Sequence, residues 1–142
     1  MLRPDVIYFH SNIEPTGDYW DQAKKIENFT VNKRQPPTFV FGQGIQEPQS
    51  ETGHSNVDRV KVLLEYGGIY LDLDVLVTKS MDTLRQQKCT IGYEYYNKKH
   101  VVCGGIIVCS KDSAFLHMWA QSFLEDYRPS DWAYNSGQVI LK

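Results

Sequence analysis

The chain has 142 residues, a formal net charge of −2, 42% hydrophobic residues and 23% charged ones. That length holds at most one domain, spanning 1–142, with room for a sizeable core, and the charge gives a nucleic-acid partner no electrostatic support. No apolar run reaches the roughly 18 residues of a membrane span, and the opening Met1-Leu2-Arg3-Pro4 lacks the apolar stretch of a signal peptide. The first apolar run, Asp5-Val6-Ile7-Tyr8-Phe9-His10, reads as a buried parallel strand, followed by a loop with Pro15 and Gly17 as turn residues. Residues 18–28 predict a helix with Trp20, Ala23 and Ile26, and residues 29–33 a short strand. Residues 34–53 are rich in Pro, Gly and Gln and read as loop, broken by Phe39-Val40-Phe41.

Residues 55–66 carry Val57, Val60, Leu63 and Leu64 at helical spacing. Ser55 with Asp58 fits a capping box at the start of that helix. Arg59 then lies near the N-terminus, where backbone N–H groups favour anions. Gly67 suits the left-handed C′ position, and Gly68 lets the chain reverse into a strand, Ile69-Tyr70-Leu71-Asp72-Leu73-Asp74-Val75. Two more strands are expected over residues 90–96 and 101–109. A strongly amphipathic helix follows over residues 113–127, with Leu116, Trp119, Ala120, Phe123 and Tyr127 on one stripe. Arg128-Pro129-Ser130 ends it, and residues 134–141 begin another helix. Alternating strands and helices give an α/β class.

Asp72 and Asp74 carry the chemistry. In an extended strand residues i and i+2 share a side, so both carboxylates converge while Ile69, Leu71, Leu73, Val75 and Val77 face the other way. Converging carboxylates are costly without a positive partner, and a hard divalent cation fits oxygen ligands and, as Mg²⁺, completes its shell on phosphates. The bland alternative is a solvent-facing strand side. Paired aspartates also serve phosphohydrolases, but the helix and Gly-Gly turn before the strand argue against that class. The four histidines share no ligand spacing.

The string His54-Ser55-Asn56-Val57-Asp58-Arg59 through Gly67-Gly68-Ile69-Tyr70-Leu71-Asp72-Leu73-Asp74 resembles the core of the DXD-motif glycosyltransferases, which include yeast α-1,6-mannosyltransferases and animal α-1,4-galactosyltransferase-like enzymes. The later Cys103-Gly104-Gly105-Ile106-Ile107 segment and the Tyr134-Asn135-Ser136 stretch extend the resemblance over most of the chain. It implies a GT-A type fold with a mostly parallel central sheet. It also implies a nucleotide-sugar donor, UDP-linked, a glycan or glycolipid acceptor, Mn²⁺ (or Mg²⁺) on Asp72 and Asp74, retaining transfer and a Golgi location. The family's Ser-Asp-x-x-Arg string, whose Asp and Arg contact the donor, matches Ser55, Asn56 and Arg59, with Asn56 replacing the charged residue by a neutral amide. That departure favours the alternative of an inactive or truncated relative that at most binds nucleotide sugar or glycan. Against the family pattern the fold reads as incomplete at both ends. No base-binding strand precedes Pro4, and Val139-Ile140-Leu141-Lys142 stops within an apolar run.

The remaining residues are less specific. Cys89, Cys103 and Cys109 form no metal spacing; they read as buried free thiols, with a Cys89–Cys103 bridge as the alternative. Asn28-Phe29-Thr30 is a glycosylation sequon. Trp132, Tyr134 and Asn135 are candidates for acceptor contact or for helix packing, and Glu94 for contact with the sugar.

Overall fold

The structure is a computed structural model and describes residues 3–37, 39–40, 43–44, 51–96, 98–128, 131 and 134–141. It divides into two units, Met1–Pro36 and Pro37–Lys142.

In the first unit, β1 (Ile7–Ser11) and β2 (Phe29–Lys33) pair in parallel, from Ile7 beside Phe29 to Ser11 beside Lys33. The crossover contains α1 (Asp18–Ala23), shorter than the helix expected over residues 18–28. The reason is geometric: the chain must return to lay β2 beside β1, and Asn28 makes the last bend with φ 64°, a region that Asn tolerates better than most residues. Phe9, Trp20 and Phe29 form the apolar contact of this unit, with ring centroids 4.8 to 6.2 Å apart. The indole N–H of Trp20 donates to Glu14 at 3.2 Å.

The second unit holds β3 (Phe39–Val40), β4 (Gln43–Gly44), α2 (Glu51–Tyr66), β5 (Gly68–Leu71), β6 (Cys89–Tyr96), β7 (Lys99–Cys109) and α3 (Ala114–Glu125). The largest sheet has the order β5-β7-β6, and both pairings are antiparallel. The expected mostly parallel central sheet is therefore corrected: among the described residues only β1 and β2 are parallel. The connection from Tyr96 to Lys99 is far too short for the dozen or more residues a parallel crossover needs.

Helix α2 begins at Glu51, so Ser55 and Asp58 are interior positions and the capping box predicted for them does not form. Its other end is as expected. Gly67 has φ 67° and donates its N–H to the Leu63 carbonyl at 2.8 Å, and Gly68 follows at φ 99°. A Cβ on Gly67 would also lie 2.9 Å from the backbone nitrogen of Lys111.

The core joins α2, β7 and α3 through Val57, Val60, Leu63, Val102, Ile107, Leu116, Trp119, Ala120 and Phe123. Each such Leu, Val or Phe taken from water contributes roughly 1.5–3 kcal/mol. Leu116, Trp119, Ala120 and Phe123 of the expected stripe are buried on α3, while Tyr127 lies beyond the helix end and is half-buried. The C-terminal segment forms a π-helical turn, Tyr134–Gln138, then a 3₁₀ turn, Val139–Leu141, instead of a regular helix. Buried Asn135 is what that turn is built around. Its amide donates to the Arg128 carbonyl at 2.6 Å, its side-chain oxygen accepts from the Arg128 N–H at 2.9 Å, and its own carbonyl accepts from Trp119 Nε1 at 3.3 Å. Asn135 and Tyr134 are thus both buried, while Trp132, like Pro129 and Ser130, lies outside the described residues.

Cys89 and Cys109 are paired in register across β6 and β7 and joined by a disulfide, leaving Cys103 free. This corrects both the free-thiol reading of Cys89 and Cys109 and the Cys89–Cys103 alternative. Among the described residues no helix is long and apolar enough to cross a membrane.

Candidate functional site

The loop after β5 carries Asp72 and Asp74, but not on an extended strand. Strand β5 stops at Leu71, and the Val75 N–H bonds the Asp72 carbonyl at 3.2 Å to close a turn over residues 72–75. Leu73 at the tip is 87% exposed and does not lie on an apolar strand face opposite the carboxylates, as an extended strand would have placed it. The two carboxylates therefore owe their placement to a turn. Asp74 is exposed, while Asp72 is half-buried and tied to β7 by its N–H, which donates to the Gly105 carbonyl at 2.9 Å.

Asp72 sits in a network built from α2 and β5. The Tyr70 hydroxyl donates to Asp72 Oδ1 at 2.8 Å, and Arg59 Nη2 lies 3.6 Å from the same oxygen. Arg59 is itself buried. Its Nε donates to the Ser55 carbonyl at 3.2 Å, its Nη2 to Ser55 Oγ at 3.3 Å, and its guanidinium lies 5.3 Å from the Tyr70 ring centroid. Ser55, one helical turn before Arg59, thus holds the guanidinium from inside the helix. Burial pushes the Tyr70 hydroxyl well above its usual range; nearby Arg59 opposes this, and the hydrogen bond to Asp72 adds to it. Tyr70 consequently stays a proton donor to Asp72 throughout the neutral range.

Strand β7 supplies the floor. Ile91 pairs with Ile107, yet the next residue, Gly92, pairs with Cys103, so β7 bulges at residues 104–106. The bulge passes directly beneath the network. A Cβ on Gly104 would fall 2.3 Å from Arg59 Nη1, and one on Gly105 would fall 3.2 Å from Asp72 Oδ2 and 3.8 Å from Cys103 Sγ. Gly104 and Gly105 are the site residues that the sequence reading passed over. Their signal was present, since consecutive glycines inside a strand pattern mark a bulge or a close approach. Tyr70, two residues before Asp72, was likewise missed.

The structure brings Asp72 and Arg59 together. Asn56 is buried at 2% exposure within α2, one turn before Arg59. Glu94 is exposed, and its neighbours Tyr93 and Tyr95 pack edge-on against His100 at 6.1 and 5.4 Å. Among the described residues no group of three or more His, Cys, Asp or Glu side chains gathers for a metal. The donor set of Asp72 and Asp74 nevertheless fits a hard divalent cation that takes its other ligands from phosphate and water. Asp72 Oδ2, unlike Oδ1, faces the gap above Gly105 that a Cβ would fill.

Comparison with known proteins settles the family. The model for the glycosyltransferase sugar-binding region containing a DXD motif matches residues 4–91. The chain belongs to that family. Glucan organizing enzyme 1 of Cryptococcus neoformans var. grubii is 32% identical over 143 residues, covering 95% of this chain and 37% of that relative. Lactosylceramide 4-alpha-galactosyltransferase of Mus musculus is 26% identical over 96 residues, covering 68% of this chain and 25% of that protein. The human protein of the same name is 24% identical over 100 residues, covering 70% of this chain and 27% of its own length. The chain thus spans well under half the length of these relatives. No solved structure matches it. Asp72 and Asp74 form an Asp-x-Asp tripeptide inside the matched region.

Proposed function

We propose that the chain forms the donor-handling part of a metal-dependent glycosyltransferase of GT-A type. It moves a sugar, with retention, from a nucleotide sugar, UDP-linked, to a hydroxyl of a glycan or glycolipid. The observation that carries this reading is the Asp72 network, a family motif carboxylate oriented by a buried cation and a protonated phenol. Asp72 and Asp74 would hold Mn²⁺ or Mg²⁺, which when bound neutralises charge on the departing diphosphate. Arg59 and Tyr70 orient Asp72, and Arg59 brings positive charge to the donor side. The names of the relatives support the acceptor class, since one acts on lactosylceramide. The Cys89–Cys109 disulfide supports an oxidising compartment, the secretory pathway and its Golgi lumen.

Titration calorimetry tests the site. Mn²⁺ with UDP should bind the chain, and Asp72→Ala or Asp74→Ala should each abolish that binding, because one carboxylate alone leaves the oxygen shell incomplete. Unchanged binding in both variants would remove the carboxylates from the donor site.

Asn56 favours a second reading, a relative that binds nucleotide sugar or glycan without turning it over. The family string carries an aspartate where this chain has a buried amide. Hydrogen bonds to charged groups contribute about 1.5–3 kcal/mol against about 1 for neutral pairs. Asn56→Asp should therefore tighten donor binding roughly tenfold if the amide is a weakened donor contact. Equal or weaker binding in that variant would assign Asn56 to helix packing.

A further inference from the structure

We propose that Asn28 is an N-glycosylation site carrying one asparagine-linked oligosaccharide. Asn28-Phe29-Thr30 is the single Asn-x-Ser/Thr tripeptide in the sequence, with Phe at the middle position where Pro would forbid use. Both functional ends of the tripeptide are exposed: Asn28 in the bend before β2, and Thr30 on β2. The backbone of Asn28 is fixed there, with φ 64° and its carbonyl accepting from the Ile7 N–H at 2.8 Å. Modification of its side chain therefore removes no backbone contact of the β1–β2 pair. The neighbourhood is apolar for a surface. Val6, Tyr8 and Ile26 are 41%, 39% and 51% exposed, Tyr8 lies in register beside Thr30, and the Ile26 carbonyl accepts from Phe29. An oligosaccharide rooted at Asn28 hydrates this rim.

The chemistry is a simple exchange. Asn28 Nδ2 attacks the anomeric carbon of a lipid-linked oligosaccharide diphosphate on the host transferase. The C–N bond forms, the sugar C–O bond to diphosphate breaks, the amide gives up one proton, and the lipid diphosphate departs. The inference rests on the secretory location proposed above. The disulfide supports that location independently of the sequon.

The test expresses the full chain from its own coding sequence in a eukaryotic secretory cell and reads two signals from one sample. Peptide N-glycosidase should produce a single downward mobility step. Asn28→Gln and Thr30→Ala should each abolish the step, while Thr30→Ser, which keeps the sequon, should retain it. Alkylation without reductant should label Cys103 alone of the three cysteines, since Cys89 and Cys109 are joined. One labelled thiol with no mobility step overturns the glycan and leaves the location standing. Three labelled thiols place the chain in a reducing compartment and overturn both.

Discussion

Gly104 is the point at which the backbone of β7 touches the guanidinium of Arg59, and its missing Cβ is what allows the contact. Arg59 is held by Ser55 and Asp72 and is 8% exposed, so it has little room to retreat. Gly104→Ala should cost about 1–3 kcal/mol through overpacking and should weaken Mn²⁺–UDP binding by displacing Arg59 from Asp72. A double-mutant cycle isolates the cause. In the Arg59→Lys background, which lacks the guanidinium fork, the cost of Gly104→Ala in urea unfolding should shrink, giving a coupling of about 0.5–3 kcal/mol. Strict additivity would refute the contact. Tyr70 offers a pH test. Its hydroxyl is raised above the unfolded value of 10.0, chiefly by burial. Between those two values the unfolded chain has lost the proton and the folded chain has kept it. Stability therefore falls as pH rises above about 10, by at most about 1.4 kcal/mol per unit. Urea midpoints from about pH 9 to pH 11 should show a shallower decline in Tyr70→Phe than in the parent, and identical declines would dismiss the assignment.

At the scale of elements, the strands β6 and β7 are stapled by Cys89–Cys109, a bridge with a sequence separation of 20. A loop of that order constrains the unfolded chain by about 3 kcal/mol. Reduction should lower the unfolding free energy by about that amount, read as a shift of the urea midpoint with and without reductant. An unmoved midpoint would show that the staple adds nothing to stability. The pairing itself was not legible in the sequence, because cysteine spacing does not reveal which strand residues stand opposite each other. The helices were legible where periodicity was strong: the buried stripe of α3 and the Gly67 stop of α2 both follow from local chemistry. The start of α2 was not. Ser55 and Asp58 imitate a cap, yet the helix runs back to Glu51 and turns Ser55 into a ligand of Arg59. A local hydrogen-bonding pattern cannot say whether a serine will serve the backbone or a neighbouring side chain.

At the scale of the molecule, the α/β class is legible in the sequence, and the direction of the main sheet is carried by the length of the link between its strands. Family likeness suggested parallel strands, whereas the short link between β6 and β7 allows only antiparallel pairing. The candidate site shows the same division. Asp72, Asp74 and Arg59 were visible as residues because their chemistry is local to the motif. Their placement depends on a turn after β5 and on a bulge in a strand more than thirty residues later, which are products of tertiary pairing.

The staple and the bulge lie on the same strand, and this gives the disulfide a role in folding as well as in stability. Cys109 stands opposite Cys89, and the bulge lies only a few positions before it in β7. A hairpin that formed one residue out of step would turn its side chains to the wrong face and carry the two sulfurs out of bonding range. The Cys89–Cys109 bond can then close only where the strands are aligned at that position, and in the structure that alignment goes together with Gly104 and Gly105 beneath Arg59 and Asp72. Chains aligned otherwise leave Cys89 and Cys109 open to exchange with each other or with Cys103, so the native bond favours the strand register on which the site rests.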